Sequence, residues 1–367
     1  MPKRVHVLIG LAVGLTLAPV ASSCAQGPQN GGGGGRAGET ANLQISRAIQ
    51  VQPADAKAKA IVAAADAFLA TLNETQRKQA VYAFDDNTQR ARWTNFPVGM
   101  VPRGGIMRGE MNAAQNAALE KVLGEVLSED GVRNARLQMA ADDILDTNAR
   151  MRFGSGNYYV AFVGAPSTTA PWMFQFGGHH LAYNVTFVGP QASFSPMLTG
   201  GQPMTVPYQG QNVYIARAEI DAAHTFLRSL NAAQKAAAVR GDRAAALLLG
   251  PGAHGTKVAA EGVRGADLTA VQKDLLLAVV QARVGQFNAR DAAAKMASVR
   301  KEINDVWFGW WGPQDVAGAA YYRITGPDIV LEFAPQQFGT NDPTDHAHNM
   351  YRDPTNDYGA AWIATPQ

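Results

Sequence analysis

The feature that most constrains the fold is a helix-start signature that recurs along the chain. Phe68-Leu69-Ala70-Thr71-Leu72-Asn73-Glu74-Thr75-Gln76 is matched by Phe226-Leu227-Arg228-Ser229-Leu230-Asn231-Ala232-Ala233-Gln234. Met111-Asn112-Ala113-Ala114-Gln115 is matched by Leu268-Thr269-Ala270-Val271-Gln272. Further on, Tyr158-Tyr159 and Gly164 find partners in Tyr321-Tyr322 and Gly326, and His180 with Tyr183 in His348 with Tyr351. The order is kept and the spacing between partners drifts slowly, as loop insertions would produce. In Leu-Asn-x-x-Gln the Asn caps backbone N–H groups of the coming helix while the Gln reaches back to the cap. Each half is therefore expected to open with helices, which the Ala- and Leu-rich stretches place over 57–72, 74–84, 113–128 and 132–149, then 216–230, 232–249, 270–286 and 289–306.

After its helices each half changes texture. Aromatic and β-branched runs bounded by Gly and Pro predict strands over 158–163, 171–176, 181–187, 321–324 and 329–333. The Gly-, Pro- and Ser-rich stretch 188–207 reads as an irregular connection. The expected class is α+β, with a duplicated helices-then-strands module, 55–207 and 208–367, packed as one pseudo-twofold body.

The first 25 residues have the form of a secretion signal: Lys3 and Arg4, an apolar run too short to span a bilayer, Pro19, then small residues. Ala21-Ser22-Ser23-Cys24 resembles a lipobox, with Cys24 as the lipidated mature terminus; Ser23-Cys24-Ala25 also fits cleavage after Ala25. The Gly-rich run that follows suits a flexible tether over 26–54. The expected address is the periplasm or the outer membrane or cell surface, with secretion as the alternative. Cys24 is the only cysteine, so the folded part has no disulfide and no thiolate metal site. Without Lys3 and Arg4 the 32 basic residues fall to 30, equal to the 30 acidic ones. That balance argues against nucleic acid as a partner, and against a membrane partner except through a lipid anchor.

The chemistry-bearing residues are histidines. Four of the seven fall in two groups, His179-His180 and His346-x-His348, each after a predicted strand. On a strand, His346 and His348 leave by the same face and adjacent His179 and His180 by opposite faces. His180, His346 and His348 are thus the candidate ligands for a divalent transition metal such as zinc or copper. His179 is then a supporting or structural residue, with Asp353 and Tyr351. Glu332 and Asp345 lie close in sequence to complete a shell or act as a base, and Arg352 suits an anionic part of a small-molecule substrate. Packed polar histidines without any metal are the plain alternative. The segment 351–359 reads equally well as a turn, and Trp307 to Trp311 as core. Gly-x-Ser-x-Gly, His-Glu-x-x-His and phosphate-loop signatures are absent.

Trp172 to Asn184, with its Gly-Gly-His-His, Tyr321 to Pro327, and His346 to Pro354 together resemble domain-of-unknown-function family 3500, over nearly the whole chain from Ala56 onward. The resemblance implies that the histidine groups belong to a family pattern; it implies no activity, substrate or cofactor. From the residues, the expected function is an exported metal-dependent enzyme, hydrolytic in type, or a metal- or ligand-binding protein without turnover.

Overall fold

The computed structural model describes residues 39–147, 150–337 and 341–365. The expected signal segment with Cys24, and residues 26–38 of the expected tether, lie outside them. The chain runs α1 (Ala56–Ala70), α2 (Glu74–Ala80), β1 (Val81–Tyr82), α3 (Asn87–Arg90), β2 (Ile106–Met107), α4 (Ala113–Val126), α5 (Glu129–Leu145), β3 (Tyr159–Val163), β4 (Trp172–Gly178), β5 (Leu181–Val188), β6 (Gln191–Ser193), β7 (Met197–Gly201), β8 (Thr205–Tyr208) and β9 (Gln211–Tyr214). It continues through α6 (Arg217–Ser229), α7 (Ala232–Ala238), β10 (Val239–Gly241), β11 (Val263–Arg264), α8 (Ala270–Val284), α9 (Ala289–Lys301), β12 (Trp307–Trp311), β13 (Tyr321–Thr325), β14 (Val330–Pro335), β15 (Ala347–Arg352) and α10 (Ala360–Ile363). The fold is mixed α+β, as expected.

All four Asn/Thr-x-x-Gln signatures are complete capping boxes at the starts of α2, α4, α7 and α8. They also interlock. Gln115 Nε2 donates to Gln76 Oε1 at 2.8 Å and to Thr71 O at 2.9 Å. Gln272 Nε2 makes the corresponding bonds to Gln234 Oε1 and Ser229 O. One amide thus ties the start of α4 to the end of α1 and the cap of α2, and its counterpart ties the start of α8 to the end of α6 and the cap of α7, which a sequence motif alone does not reveal.

Thirteen strands form one sheet, ordered β1-β3-β4-β5-β7-β15-β14-β13-β12-β10, with β2, β6 and β11 pairing off this path. Only β1 with β3 and β10 with β12 run parallel. Side-chain alternation sorts the two faces. Trp172, Phe174 and Phe176 of β4 join Phe308 and Trp310 of β12 in the core shared with the helices, against Phe68, Val122 and Leu276. Met173, Leu198 and Met350 point to the other face, where no long helix lies among the described residues. That face is covered by irregular chain carrying Ala41, Trp93, Leu247, Leu249 and Tyr358.

Several expectations are corrected. The helices predicted over 74–84 and 232–249 stop at Ala80 and Ala238, where Val81 and Val239 enter edge strands. The stretch 188–207 is not irregular: it contains β7, which pairs with β5 on one side and β15 on the other. Its Gly200 and Gly201 permit that position, since a Cβ at Gly200 would stand 2.3 Å from Ala347 O. Trp307 to Trp311 is a strand, with Phe308 and Trp310 in the core. Tyr158-Tyr159 opens β3 beside β1, whereas Tyr321-Tyr322 opens β13, one strand further from the parallel edge, so these pairs do not hold like places.

Replacing Asn112 with Ala removes one capping box while leaving the sheet untouched. It should lower stability by about 1 kcal/mol, seen as an earlier midpoint in urea; an unchanged midpoint would mean that the cap is replaced by water without cost.

Candidate metal centre

The two histidine groups meet on the loop-covered face. His179 and His180 form the two-residue turn between β4 and β5, with Gly178 and Leu181 paired across it. His180 has φ of +57°, in the left-handed region where Gly or Asn is the low-strain choice at the second position of a turn. A histidine held there is an outlier of the kind that collects at functional sites. The turn is fixed from both sides. Tyr158 OH donates to His179 O at 2.7 Å, and buried Arg103 donates to Gly178 O, Thr94 O and Phe96 O. Arg103 thereby clamps the 94–101 loop over the turn, and burial lowers its pKa to about 10.

The expectation that His179 and His180 leave by opposite faces fails because they lie in a turn, not a strand. Their rings stack, with centroids 3.7 Å apart. His179 Nδ1 lies 2.6 Å from Asp142 Oδ1, and the other Asp142 oxygen accepts from Gly154 N. His348 belongs to β15, and His346 immediately precedes it. Both are carried to the turn because β7 bridges β5 and β15. The pairing expected between His180 and His348 is therefore real in space, but one residue is in a turn and the other in a strand; the sheet order, not a like position, joins them.

The three rings form a nearly regular triangle, with centroid separations of 4.9, 5.0 and 5.0 Å. His346 Nε2 is 3.1 Å from His180 Nε2 and 3.3 Å from His348 Nε2. Bonds of about 2.0–2.1 Å to a tetrahedral zinc ion set neighbouring nitrogens roughly 3.3–3.4 Å apart. Hydrogen bonding accounts less well for the cluster. A neutral imidazole nitrogen offers either one proton or one in-plane lone pair, so His346 Nε2 can serve only one of its two neighbours fully. Burial pushes His180 and His348 well below the usual imidazole range, and the neighbouring histidines push the same way. Neutral rings are the ligating form. Asn95 Nδ2 lies 3.4 Å from His348 Nε2, and Asn95 O accepts weakly from His180 N.

His180, His346 and His348 can thus hold a metal ion, their ligand atoms all lying within 4.8 Å of one another; no carboxylate among the described residues joins that group. Glu332 accepts from Leu248 N and Leu249 N, both at 2.8 Å, and from Tyr321 OH. Asp345 accepts from Met204 N. Arg352 is 2.8 Å from Glu39 and 2.5 Å from Asp357, and donates to Leu249 O and Gly250 O. Asp353 receives Thr355 N and pairs with Lys295. Tyr351 packs on Phe287 on the helix face, and its hydroxyl is pushed above the usual range by burial. Sequence reasoning missed Asn95, Arg103 and Asp142. The Gly-Gly-His-His run between two expected strands is a hairpin signal that the strand reading of His179 and His180 passed over, and nothing local tied these three residues to it.

Arg352 offers a test of its structural share. Burial raises the Asp357 pKa, but Arg352, His254 and Ser195 outweigh it and bring it below the ordinary 3.8. Its contribution is therefore present above the unfolded value and lost as pH falls through the folded one. Arg352→Ala strands two buried carboxylates and should cost about 3–5 kcal/mol. The loss, measured by denaturant titration at pH 7, should shrink on acidification below the ordinary carboxylate range; a pH-independent loss would count against the pairing.

The family model described as Protein of unknown function (DUF3500) matches residues 54–360, a span that includes every histidine of the centre. No curated protein and no solved structure matches the chain. A match over that span means that the chain belongs to the DUF3500 family.

Proposed function

We propose that this protein holds a divalent transition-metal ion, zinc or copper, at His180, His346 and His348, and that the ion serves hydrolytic chemistry outside the cytoplasm. The observation that carries the proposal is the convergence of three Nε2 atoms, two of the separations being 3.1 and 3.3 Å. Imidazole nitrogen favours zinc or copper over magnesium or calcium. Catalytic zinc sites keep three protein ligands and leave one position for water, whereas structural sites close the shell with a fourth. Three imidazoles with no carboxylate beside them among the described residues fit the first pattern. An ion there would acidify its water and supply the nucleophile for a small-molecule substrate. Catalytic work by Glu332, Asp345 or Arg352 would require each to leave its partners, so the proposal rests on the metal and not on them.

A second reading is metal or small-ligand binding without turnover. It is favoured by the burial of all three rings, which are 4 to 8% exposed. The cleft described below is lined by other residues.

Two wider inferences accompany the site. The chain is exported, lipidated at Cys24 or cleaved after Ala25, on the strength of its leader. It is also a duplication. Support comes from the like succession α1-α2-β1 and α6-α7-β10, each ending in a strand parallel to its neighbour. Reciprocal bonds add to it: Ser128 N donates to Gln286 O and Asn288 N to Val126 O, at the starts of α5 and α9.

Elemental analysis of protein purified without chelator should find stoichiometric metal in the wild type and none in the double variant His346→Ala, His348→Ala. Equal content in both ends the proposal. Hydrolysis of p-nitrophenyl acetate and p-nitrophenyl phosphate separates the two readings: activity lost on chelation and regained with zinc supports an enzyme, and none in loaded protein supports a carrier. Intact mass of the exported product, heavier by a lipid or not, decides between the two leader readings.

A further inference from the structure

A second site lies elsewhere on the loop-covered face. A cleft of about 710 Å³ opens between the 39–46 segment, the 249–258 loop and the C-terminal turn around α10. Its volume is that of a small-molecule site. Leu43, Val258 and Val330 give it apolar walls.

The ionisable groups in the lining are unevenly committed. Asp357 is its only carboxylate, and it is consumed: Ser195 Oγ donates to Oδ1 at 2.5 Å, while Arg352 and His254 Nδ1 engage Oδ2. Arg352 is in turn covered by Glu39. A carboxylate only accepts, so His254 Nδ1 carries a proton, and in the neutral ring Nε2 is the acceptor. The His254 side chain is 23% exposed, and among the described residues its ring has the one hydrogen bond to Asp357. Lys257 is exposed at the wall and forms no ion pair among the described residues. The cleft therefore offers a free cation, an imidazole acceptor held in one tautomer by Asp357, and an apolar body.

We propose that this cleft binds a small hydroxylated aromatic carboxylate: the ring on the apolar walls, the carboxylate at Lys257, the hydroxyl donating to His254 Nε2. The site shares no side chain with the histidine triad, and it stands or falls independently of the metal.

Binding of 6-hydroxy-2-naphthoate to the full exported chain, followed by its fluorescence, tests the assignment. Saturable binding is expected, weakened roughly tenfold in Lys257→Ala and again in His254→Ala, as loss of one hydrogen bond to a charged or oriented group predicts. 2-Naphthoate should bind wild type more weakly and be insensitive to His254→Ala. Ala361→Trp, at an exposed position in the cleft wall, should abolish binding with the unfolding midpoint unchanged. Absence of saturable binding, equal affinity in Lys257→Ala, or binding that survives Ala361→Trp would each overturn the proposal.

Discussion

The structure depends on one constraint: a large sheet with helices on a single face must cover its other face with irregular chain. Irregular chain brings backbone N–H and C=O groups that no ladder satisfies, and burying them unpaired is costly. The strands answer with buried polar side chains. Glu332 takes two backbone N–H groups of the 247–253 loop, Arg352 takes two of its carbonyls, and Arg323 reaches Ala259 O and Glu261. Gln175 holds Arg90 O, and Glu39, arriving from the N-terminal side, takes Gly252 N and His254 N. Charged groups that read in sequence as candidate chemistry are, in the fold, the fasteners of this cover.

The histidine triad is a product of the same arrangement. A buried imidazole stays neutral because desolvation disfavours its charged form, and three neutral rings converging on one point form a nitrogen cluster that could hold a metal ion. The rings come from a strained turn and a strand end, both held by backbone bonds, so little flexibility remains to spread them apart. Arg103 clamps the loop that carries Asn95 over the pair, and Asp142 fixes His179 against His180. The ring positions are thus fixed by the fold, which would reduce the ordering that binding of a metal ion must impose.

Much of the local structure was legible. Cap chemistry acts over three residues, so the four helix starts followed from Asn73, Asn112, Asn231 and Thr269 alone. Alternation marked Trp172, Phe174 and Phe176 as one core-facing row. The same rules misjudged 188–207, because its Gly and Pro residues look like a loop when the partner strand is out of view. In β7 those glycines instead allow close approach of β15. The expected helices overrun Ala80 and Ala238 for a related reason: Ala-rich propensity continues, but Val81 and Val239 are claimed by parallel neighbours far along the chain.

Sequence by itself determined the α+β class, the positions of the capped helices and the choice of His180, His346 and His348 as the nitrogens that could hold a metal ion. All of these rest on side-chain type and on spacings of a few residues. Tertiary structure decided that β7 would sit between β5 and β15, and hence that a turn and a strand some 166 residues apart would share a pocket. It also decided that Glu332, Asp345 and Arg352 would bind the chain's own groups. Those outcomes depend on strand order and on which backbone groups are left unpaired at the cover, quantities that exist only once the sheet has assembled.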